Sequence, residues 1–259
     1  MAVPRCLTIA GSDSGGGAGI QADLKAFAAA GCHGSTAIVA LTAQNTLGVT
    51  AVQELPLGFV QAQLEAVFAD IGADAAKTGM LFSRAVIETV VDFLGEHRVP
   101  LVVDPVMLAT SGAKLLEDDA VESLVTRLFP LATVVTPNLL EAEALAGGSG
   151  TPEELVERIH ELGASAVVVT GGHGLAGFDH LYDGREHIEI PVERHEVAAT
   201  HGAGCTHSAT LAALLARGET LEDAARGAAQ AASDAVWNGL TEIGGGEGPV
   251  DVLGIRSRA

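Results

Sequence analysis

Residues 10–23 read AGSDSGGGAGIQAD, and this stretch decides the fold because it joins two different hydrophobic patterns. Residues 6–9 before it form a short apolar run of strand type, and residues 20–30 after it carry apolar side chains at helical spacing. A strand that enters a helix through a glycine-rich loop is typical of a parallel α/β sheet. Glycines let the backbone approach a ligand closely, so we expect Asp13 and Asp23 to grip a small polar molecule. The alternative is a flexible turn capped by an aspartate.

The same alternation of strand and helix patterns continues along the chain. Further strand-like runs lie at residues 37–41, 49–53, 101–103, 133–135 and 166–169. Helical patterns lie at residues 57–71, 85–96, 119–128, 139–146, 152–162, 205–217 and 221–238. This order predicts an α/β fold with a central, mostly parallel sheet and helices on both faces. Without internal repeats or a linker of low complexity, residues 1–259 are expected to form a single domain.

Residues 33–56 depart from the alternation and predict a small β flap. Two strand candidates are joined there by the polar segment QNTLG at residues 44–48, which resembles a protruding hairpin. Such a flap could close a site or pair with another subunit. An ordinary edge hairpin is an equally good interpretation.

Composition and charge exclude several classes of function. The 259 residues include 33 acidic and 14 basic side chains, for a formal net charge of −19. Nucleic-acid binding and binding to anionic membranes need clustered basic residues, and the chain has only Lys25, Lys77 and Lys114 as lysines. An anionic substrate must therefore be held locally, by backbone N–H groups and a metal ion.

The cysteines and the N-terminus predict a cytoplasmic protein. Cys6, Cys32 and Cys205 are few, odd in number and without the spacing of a metal site, which is typical of reduced thiols. The N-terminal residues run directly into a strand-like segment without the pattern of a signal peptide. No apolar run reaches the length of a membrane span.

Two familiar phosphate-binding loops are excluded. Residues 17–22 match the loose dinucleotide pattern, but no acidic residue lies between Asp23 and Glu54 to bind a ribose. A Walker loop is absent because no Gly-Lys-Ser/Thr sequence occurs.

A second glycine cluster, THGAGCT at residues 200–206, opens a helix of small residues. The N-terminus of a helix presents unpaired N–H groups and the positive end of its dipole, which suits a phosphate. The same dipole is expected to favour the thiolate of Cys205. The alternative is a buried structural cysteine beside a helix start.

Three strand ends carry further candidate ligands. Asp104 follows the strand at residues 101–103, where a carboxylate can hold Mg²⁺, although an Asx turn would also explain it. Asn138 and Glu141 follow the strand at 133–135 as either a capping box or groups that face metal-bound phosphates, and the spacing does not decide between them. Residues 167–174, VVVTGGHG, could cradle a nucleotide near the sheet edge.

Taken in order, these motifs resemble the ribokinase-like superfamily, and within it the hydroxymethylpyrimidine/phosphomethylpyrimidine kinases of thiamine biosynthesis. The resemblance covers nearly the whole chain, from Thr8 to Val250. The segments that carry it are AGSDSGGGAGIQADLKAF, LTAQNTLGV, AKTGML, VVDPVMLATSGAKLL, TPNLLEAEAL, GGH, THGAGCTHSA and GEGPV.

The resemblance implies an ATP- and Mg²⁺-dependent kinase that phosphorylates a pyrimidine alcohol and then its monophosphate, usually as a homodimer. The residues that would bind the aminopyrimidine are Gly11, Asp23, Gln44, Met80 and Val106. The anion hole and catalytic base would be Gly202, Ala203, Gly204 and Cys205. Asp104 and Glu141 would hold Mg²⁺, and the groups at the nucleotide and its phosphates would be Asn138, Thr170 and Gly172.

The chain departs from the family pattern at three positions. Ala203 stands where the family usually has threonine, His207 where it has an apolar residue, and Thr170 where a lysine commonly precedes Gly-Gly-His. The last change removes a cation near the nucleotide. Pyridoxal kinase, which phosphorylates a similar ring alcohol, is the nearest alternative, and a catalytically silent binder of pyrimidine or nucleotide is a second.

Overall fold

The computed structural model describes residues 2–108, 112, 115–117, 119–171 and 177–258. Its strands are β1 (Arg5–Asp13), β2 (His33–Asn45), β3 (Gly48–Glu54), β4 (Ala75–Thr78), β5 (Leu101–Val103), β6 (Val134–Val135), β7 (Val167–Val169), β8 (Phe178–Tyr182) and β9 (His187–Pro191). Its α-helices are α1 (Gly19–Ala29), α2 (Leu57–Asp70), α3 (Arg84–Glu96), α4 (Ala120–Ser123), α5 (Leu139–Leu145), α6 (Pro152–Glu161), α7 (Ala203–Ala216) and α8 (Leu221–Trp237).

The strands of this part of the chain form one sheet in the order β3-β2-β1-β4-β5-β6-β7-β8-β9. The six central strands from β2 to β7 are parallel, and β3, β8 and β9 are antiparallel additions at the edges. The predicted α/β fold with a mostly parallel sheet is confirmed. The chain leaves β1 toward β2 on one side and later returns to β4 on the other. Ligands of open α/β sheets bind at such a reversal, beyond the carboxyl ends of the strands.

Both faces of the sheet are covered by apolar helices. On one face, Val60 and Leu64 of α2 and Ile87 of α3 are fully buried in the larger hydrophobic cluster. On the other face, Phe27 of α1 packs with the alanines of α7 and α8 in a second cluster. Because a strand alternates its side chains, Leu7 of β1 faces the first cluster and Cys6 faces the second. The sheet is therefore a rigid support for the loops at its carboxyl edge.

The hairpin predicted at residues 33–56 is present as β2 and β3. Its tip is fastened to the glycine-rich segment near the C-terminus, because the Gly246 amide donates to Thr46 Oγ1 at 3.2 Å. A Cβ at Gly246 would overlap the Thr46 carbonyl oxygen, so the two backbones touch. The flap thus packs on its own chain, and Thr42 and Gln44 of β2 line the main cavity.

Three strands and one helix differ from the prediction. The sequence patterns missed β4, whose residues AAKT include a charged side chain, and the short edge strands β8 and β9. The helix expected over residues 119–128 is α-helical only in α4 and continues as a π-helical turn over Leu124–Leu128. Buried strands are recognised by apolar runs, and the lysine in β4 interrupts that signal.

Among the described residues, no helix combines the length and the apolarity that crossing a bilayer requires.

Candidate active site

A cavity of about 520 Å³ lies at the carboxyl edge of the sheet. It extends from the flap end, which we define by Gly11, Thr42, Gln44 and Met80, to the β8 end, which we define by Thr170, Asp179, Arg194 and His207. Four strand spacings separate β1 from β7, or roughly 19 Å. The N-terminus of α7 lies between the two ends, because α7 packs on β1, β4 and β5.

The glycine loop at residues 14–19 is organised by Asp13. The Asp13 carboxylate accepts hydrogen bonds from the amides of Gly15, Gly17 and Ala18 at 2.7–3.0 Å. His201 Nε2 lies 3.0 Å from the same carboxylate. Burial alone would raise the pKa of Asp13, but the bonds from His201 and the amides outweigh it and lower the pKa. Asp13 therefore holds the loop and the α7 entry together. It also lines the cavity, so the expectation that it grips a ligand stays a prediction.

The entry to α7 requires glycine at position 202. Gly202 has φ of +87°, and a Cβ there would overlap the Gly17 carbonyl oxygen. The Ala203 amide donates to the Thr200 carbonyl at 3.0 Å. By contrast, the amides of Gly204 and Cys205 make no hydrogen bond to any described residue. Of the predicted anion hole, Ala203 is thus already engaged, and the N–H groups of Gly204 and Cys205 are available to an anion.

Lys77 of β4 is the residue that sequence reasoning missed. Its side chain is fully buried, with Nζ 2.9 and 3.1 Å from the two Asp23 oxygens and 3.7 Å from Asp104 Oδ2. Burial alone would lower the pKa of Lys77, but Asp23, then Cys205 and Asp104, outweigh it and raise the pKa. Lys77 is therefore a charged ammonium in the wall of the cavity.

The structure does not bring Asp23 to the cavity. The carboxylate is fully buried behind Lys77, and Thr8 Oγ1 donates to its Oδ2 at 2.5 Å. Both oxygens are engaged by protein donors, so the expected contact of Asp23 with a pyrimidine or another polar ligand is corrected. Asp23 instead holds Lys77 in place.

The Cys205 thiol faces Lys77, Asp104 and the Gly19 amide. Burial is the largest effect on its pKa, and together with Asp23 and Asp104 it outweighs Lys77 and raises the pKa to about 12. The thiol is thus protonated in the protein without ligands. The expectation that the helix dipole favours the thiolate is wrong for this state, because burial next to two carboxylates is the stronger effect.

Asp104 and Glu141 place two carboxyl groups in the cavity wall. Ser208 Oγ of α7 donates to Asp104 Oδ2 at 2.9 Å. Glu141 and Asn138 form a reciprocal capping box at the start of α5, with both bonds at 3.0 Å. The capping-box interpretation is confirmed, and the cap positions a carboxyl group that also lines the cavity. That this group faces metal-bound phosphates stays a prediction.

The donor set of Asp104 and Glu141 fits a hard divalent cation. Burial, followed by the neighbouring Asp104, raises the pKa of Glu141 to about 8. The charge of Asp104 thus disfavours the ionised form of Glu141, and a cation between the two groups would relieve that repulsion. The chemistry of this pair agrees with the Mg²⁺ role that the sequence predicts.

At the flap end, the predicted residues Gly11, Gln44, Met80 and Val106 all line the cavity. A Cβ at Gly11 would overlap the end of the Met80 side chain, so a larger residue there would require Met80 to move. Val106 is held by a tight turn in which its amide donates to the Asp104 carbonyl at 2.9 Å. The structure thus brings these four residues together.

At the β8 end, Thr170 and Asn138 line the cavity and lie side by side in a parallel bridge. Gly172 lies outside the described residues. Asp179, Arg194 and His207 share this wall. Asp179 and Arg194 carried no motif that sequence reasoning used, and His207 appeared there only as a departure from a pattern.

Comparisons with known proteins agree with this geometry. Residues 13–251 match the phosphomethylpyrimidine kinase family. A hydroxymethylpyrimidine/phosphomethylpyrimidine kinase of Rhizobium meliloti (strain 1021) is 48% identical over 253 residues, which cover 94% of this chain and 95% of that protein.

Two solved structures bear on the fold. Bacillus subtilis pyridoxal kinase in complex with ADP superposes with a TM-score of 0.90 at 36% identity, over 98% of this chain and 99% of that chain. Phosphomethylpyrimidine kinase of Clostridium difficile 630 gives a TM-score of 0.77 at 40% identity, over 87% and 96% of the two chains. The chain is thus a kinase, and it belongs to the phosphomethylpyrimidine kinase family.

Proposed function

We propose that the protein transfers the γ-phosphoryl group of ATP to the hydroxymethyl group of 4-amino-5-hydroxymethyl-2-methylpyrimidine, and then a second phosphoryl group to that product. The observation that carries this proposal is the pair of available amides, Gly204 and Cys205, at the N-terminus of α7 between the two ends of one cavity. The ring would lie at the flap end and the nucleotide at the β8 end. The phosphoryl group would then pass from the nucleotide to the ring beside the N-terminus of α7.

The α7 N-terminus supplies what phosphoryl transfer needs. The transition state of phosphoryl transfer is loose and carries negative charge on the equatorial oxygens. Catalysis therefore depends mainly on positioning the reactants and stabilising that charge. The amides of Gly204 and Cys205 donate to those oxygens, with the helix dipole aligned behind them. Asp104 and Glu141 would hold Mg²⁺, which neutralises charge on the phosphates when bound.

Cys205 is the group proposed to take the proton of the alcohol. Its thiol is protonated at rest, so this role requires a thiolate formed after the substrates bind, and Lys77 is the cation that favours it. The second transfer starts from a phosphate that is already ionised and needs no base. The two steps therefore depend differently on Cys205.

Gln44 is the group proposed to select the ring. Thr42 Oγ1 lies 3.0 Å from both the Ser12 carbonyl and Gln44 Oε1, yet a hydroxyl has one proton. When that proton goes to Ser12, the hydroxyl accepts from the Gln44 amide nitrogen, and the Gln44 carbonyl turns to the cavity. A carbonyl oxygen there accepts a hydrogen bond from the exocyclic amino group of an aminopyrimidine.

A second candidate function is phosphorylation of pyridoxal. It is favoured by one observation, the TM-score of 0.90 with a pyridoxal kinase. Pyridoxal has no exocyclic amino group, so the Gln44 carbonyl would lack its donor. The aminopyrimidine is for that reason the better match to the flap end.

The test is to incubate the purified protein with MgATP and the pyrimidine alcohol, with pyridoxal in parallel, and to resolve the products by mass. Mono- and diphosphorylated pyrimidine are expected. Phosphorylated pyridoxal alone would replace the proposal with the second candidate. Nucleotide or pyrimidine binding without any product would indicate a silent binder.

Gln44→Glu and Gln44→Leu sharpen the result. Glutamate retains an acceptor for the amino group and leucine does not, so the leucine variant is expected to lose more kcat/KM for the pyrimidine. Equal losses in the two variants would contradict the role of Gln44. A homodimer is also proposed, from the resemblance, and light scattering at assay concentrations tests it.

A further inference from the structure

One histidine and two glutamates meet at the β9 edge of the sheet, and we name them the edge cluster. Glu153 lies in the first turn of α6, His180 in β8 and Glu189 in β9. One imidazole nitrogen and two carboxylate oxygens, one from each residue, lie within 4.8 Å of one another. These three residues are not among those that line the cavity, so the edge cluster is separate from the candidate active site.

The register of the edge strands explains the cluster. β8 and β9 are antiparallel, and His180 is paired directly with Glu189. Such opposed residues have Cβ atoms about 4.5–5.5 Å apart on the same face of the sheet. Tyr182, two residues from His180, shares this face and contacts His160 of α6 with ring centroids 5.2 Å apart. The helix therefore covers the face, and Glu153 reaches the strand pair from it.

His180 is a buried side chain without a hydrogen bond to any described residue. It is 6% exposed, and its Nδ1 lies 3.7 Å from Glu153 Oε1, which is too long for a hydrogen bond. The preceding residue, Asp179, faces the opposite side of the strand and lines the cavity. A buried polar group that makes no hydrogen bond is unfavourable. The imidazole is thus held at a cost, with one nitrogen aimed at a carboxylate.

The two carboxylates of the edge cluster are exposed and can adjust. The Glu153 side chain is 47% exposed, and Glu189 is exposed as well. Hydrogen bonds from its own backbone amide and then from Thr151 lower the pKa of Glu153, so this carboxylate is ionised at neutral pH. The ligand atoms of a tetrahedral ion with bonds of about 2.1 Å lie about 3.4 Å apart. Rotation of the two glutamates can close the cluster to that spacing around a fixed His180.

The ligand chemistry selects the class of ion. An imidazole nitrogen together with carboxylate oxygens suits Zn²⁺ and related transition metals, whereas Mg²⁺ takes oxygen ligands. The carboxyl pair of Asp104 and Glu141 in the cavity is of the second kind. The two sets of side chains therefore favour different ions.

We propose that the edge cluster binds one divalent transition-metal ion such as Zn²⁺, with His180 Nδ1 and the carboxylates of Glu153 and Glu189 as its protein ligands and water on the exposed side. The ion ties α6 to the β8–β9 edge, because its ligands come from three elements. An ion that binds only the folded chain stabilises it. This site goes beyond the proposed kinase function and takes no part in phosphoryl transfer.

The test is calorimetric titration of the EDTA-treated and dialysed full-length protein with ZnCl₂, in excess Mg²⁺ to compete at Asp104 and Glu141. Micromolar or tighter binding is expected in the wild type. His180→Phe keeps a buried ring but removes a ligand. It should weaken Zn²⁺ binding more than about 100-fold, because loss of a group that only orients a ligand already costs roughly 10- to 100-fold.

Glu153→Gln and Glu189→Gln keep the test decisive even if His180→Phe does not fold, because both side chains are exposed. Each should weaken Zn²⁺ binding about tenfold or more. Glu161→Gln is the matched control, because it removes the same charge from α6 at an exposed position eight residues from Glu153, or about 12 Å along the helix. At that distance the charge is screened, so the change should stay within about twofold.

Thermal denaturation gives an independent measurement. Zn²⁺ should raise the Tm of the wild type and of Glu161→Gln, and leave that of Glu153→Gln unchanged. Equal Zn²⁺ binding in the wild type and the ligand variants would place the ion at other groups and overturn the proposal. Binding of Mg²⁺ as tight as that of Zn²⁺ would contradict the role of the imidazole. A wild type that binds no Zn²⁺ would reduce His180 and Glu153 to an ion pair.

Discussion

The two ends of the cavity hold their charges in different ways. Around the flap end and in the cavity wall next to it, the ionisable side chains are buried and have partners within the protein, as in Lys77 with Asp23 and Asp13 with His201. The β8 end also has a buried pair, Asp179 and His207, but its arginine, Arg194, is exposed, and the neighbouring Glu193 and Glu196 are exposed as well. The difference indicates a preformed pocket at the flap end, where we propose that the ring binds, and a more open wall at the β8 end, where we propose that the nucleotide binds.

The free-energy cost of desolvating charged side chains therefore belongs to folding where the charges are buried, and to ligand binding where they are exposed. Charges that are buried in the folded protein are desolvated during folding, so ligand binding does not bear that cost, and their loss should appear as instability. Exposed charges contribute little to stability, so their loss should appear mainly in binding. Substitutions at the two ends can therefore test the comparison directly.

The largest expected effect is that of Lys77→Met. Removing the ammonium leaves Asp23 and Asp104 buried without a cation, and about 3–5 kcal/mol of stability should be lost. Urea denaturation monitored by circular dichroism measures the change. The double variant Lys77→Met with Asp23→Leu should recover part of the loss, because it removes the uncompensated carboxylate. A stable single variant would contradict the view that the floor depends on this ion pair.

Gly202→Ala should cost about 2–4 kcal/mol, since φ of +87° is unfavourable for alanine and its Cβ would overlap Gly17. Gly204→Ala is the matched control, because a Cβ there meets nothing within 4 Å. Thermal denaturation should therefore separate two glycines that lie two positions apart. Equal Tm values would show that the loop can move away from Gly202.

Cys205→Ala tests the region between the two ends. The first phosphorylation should fall about 100-fold, equivalent to about 2.7 kcal/mol, as expected for the loss of a general base. The second should change far less, because its nucleophile is already ionised. Single-turnover rates measured separately with the alcohol and its monophosphate give both values. Equal losses would make Cys205 a structural or anion-binding residue.

Glu141→Gln tests the buried carboxyl pair through pH. The pKa of Glu141 is raised from 4.5 to about 8 in the folded protein, so its stabilising contribution is complete below pH 4.5 and is lost as pH rises through 8. Between pH 6 and 8, with EDTA present, the wild type should lose about 2 kcal/mol more than the variant. Parallel stability curves would show that Glu141 is ionised in the folded protein.

The smallest effect is expected at the β8 end. Arg194→Gln should change the free energy of unfolding by less than about 0.5 kcal/mol, because the Arg194 side chain is exposed. The measurement is the same urea titration used for Lys77→Met. A loss comparable to that of Lys77→Met would end the distinction between a preformed end and an open end.

Much of the fold could be predicted from the sequence because hydrophobic periodicity is a local property. Strand β5 and the helices α1, α2, α3, α6 and α8 agree with the patterns to within one or two residues. The strands that the sequence patterns failed to predict also have local causes. Lys77 interrupts the apolar signal of β4, and β8 and β9 are five-residue edge strands whose sequences, FDHLY and HIEIP, mix polar with apolar side chains.

The site was predicted where a motif fixes the backbone and missed where partners are distant in sequence. The capping box of Asn138 and Glu141 follows from neighbouring residues. The partner of Asp23 lies 54 residues away at Lys77, and that of Asp13 lies 188 residues away at His201. Sequence spacing carries no information on such pairs.

By itself, the sequence determined the α/β class, the strand–glycine–helix junctions and the family resemblance, since all three depend on the order and local pattern of residues. Only the tertiary structure decided which carboxylates are available. It placed Asp23 behind Lys77, engaged Asp13 with the glycine loop, and left Asp104 and Glu141 facing the cavity. The physical reason is that burial and charge pairing arise between elements, so the state of a titratable group depends on residues that folding brings to it.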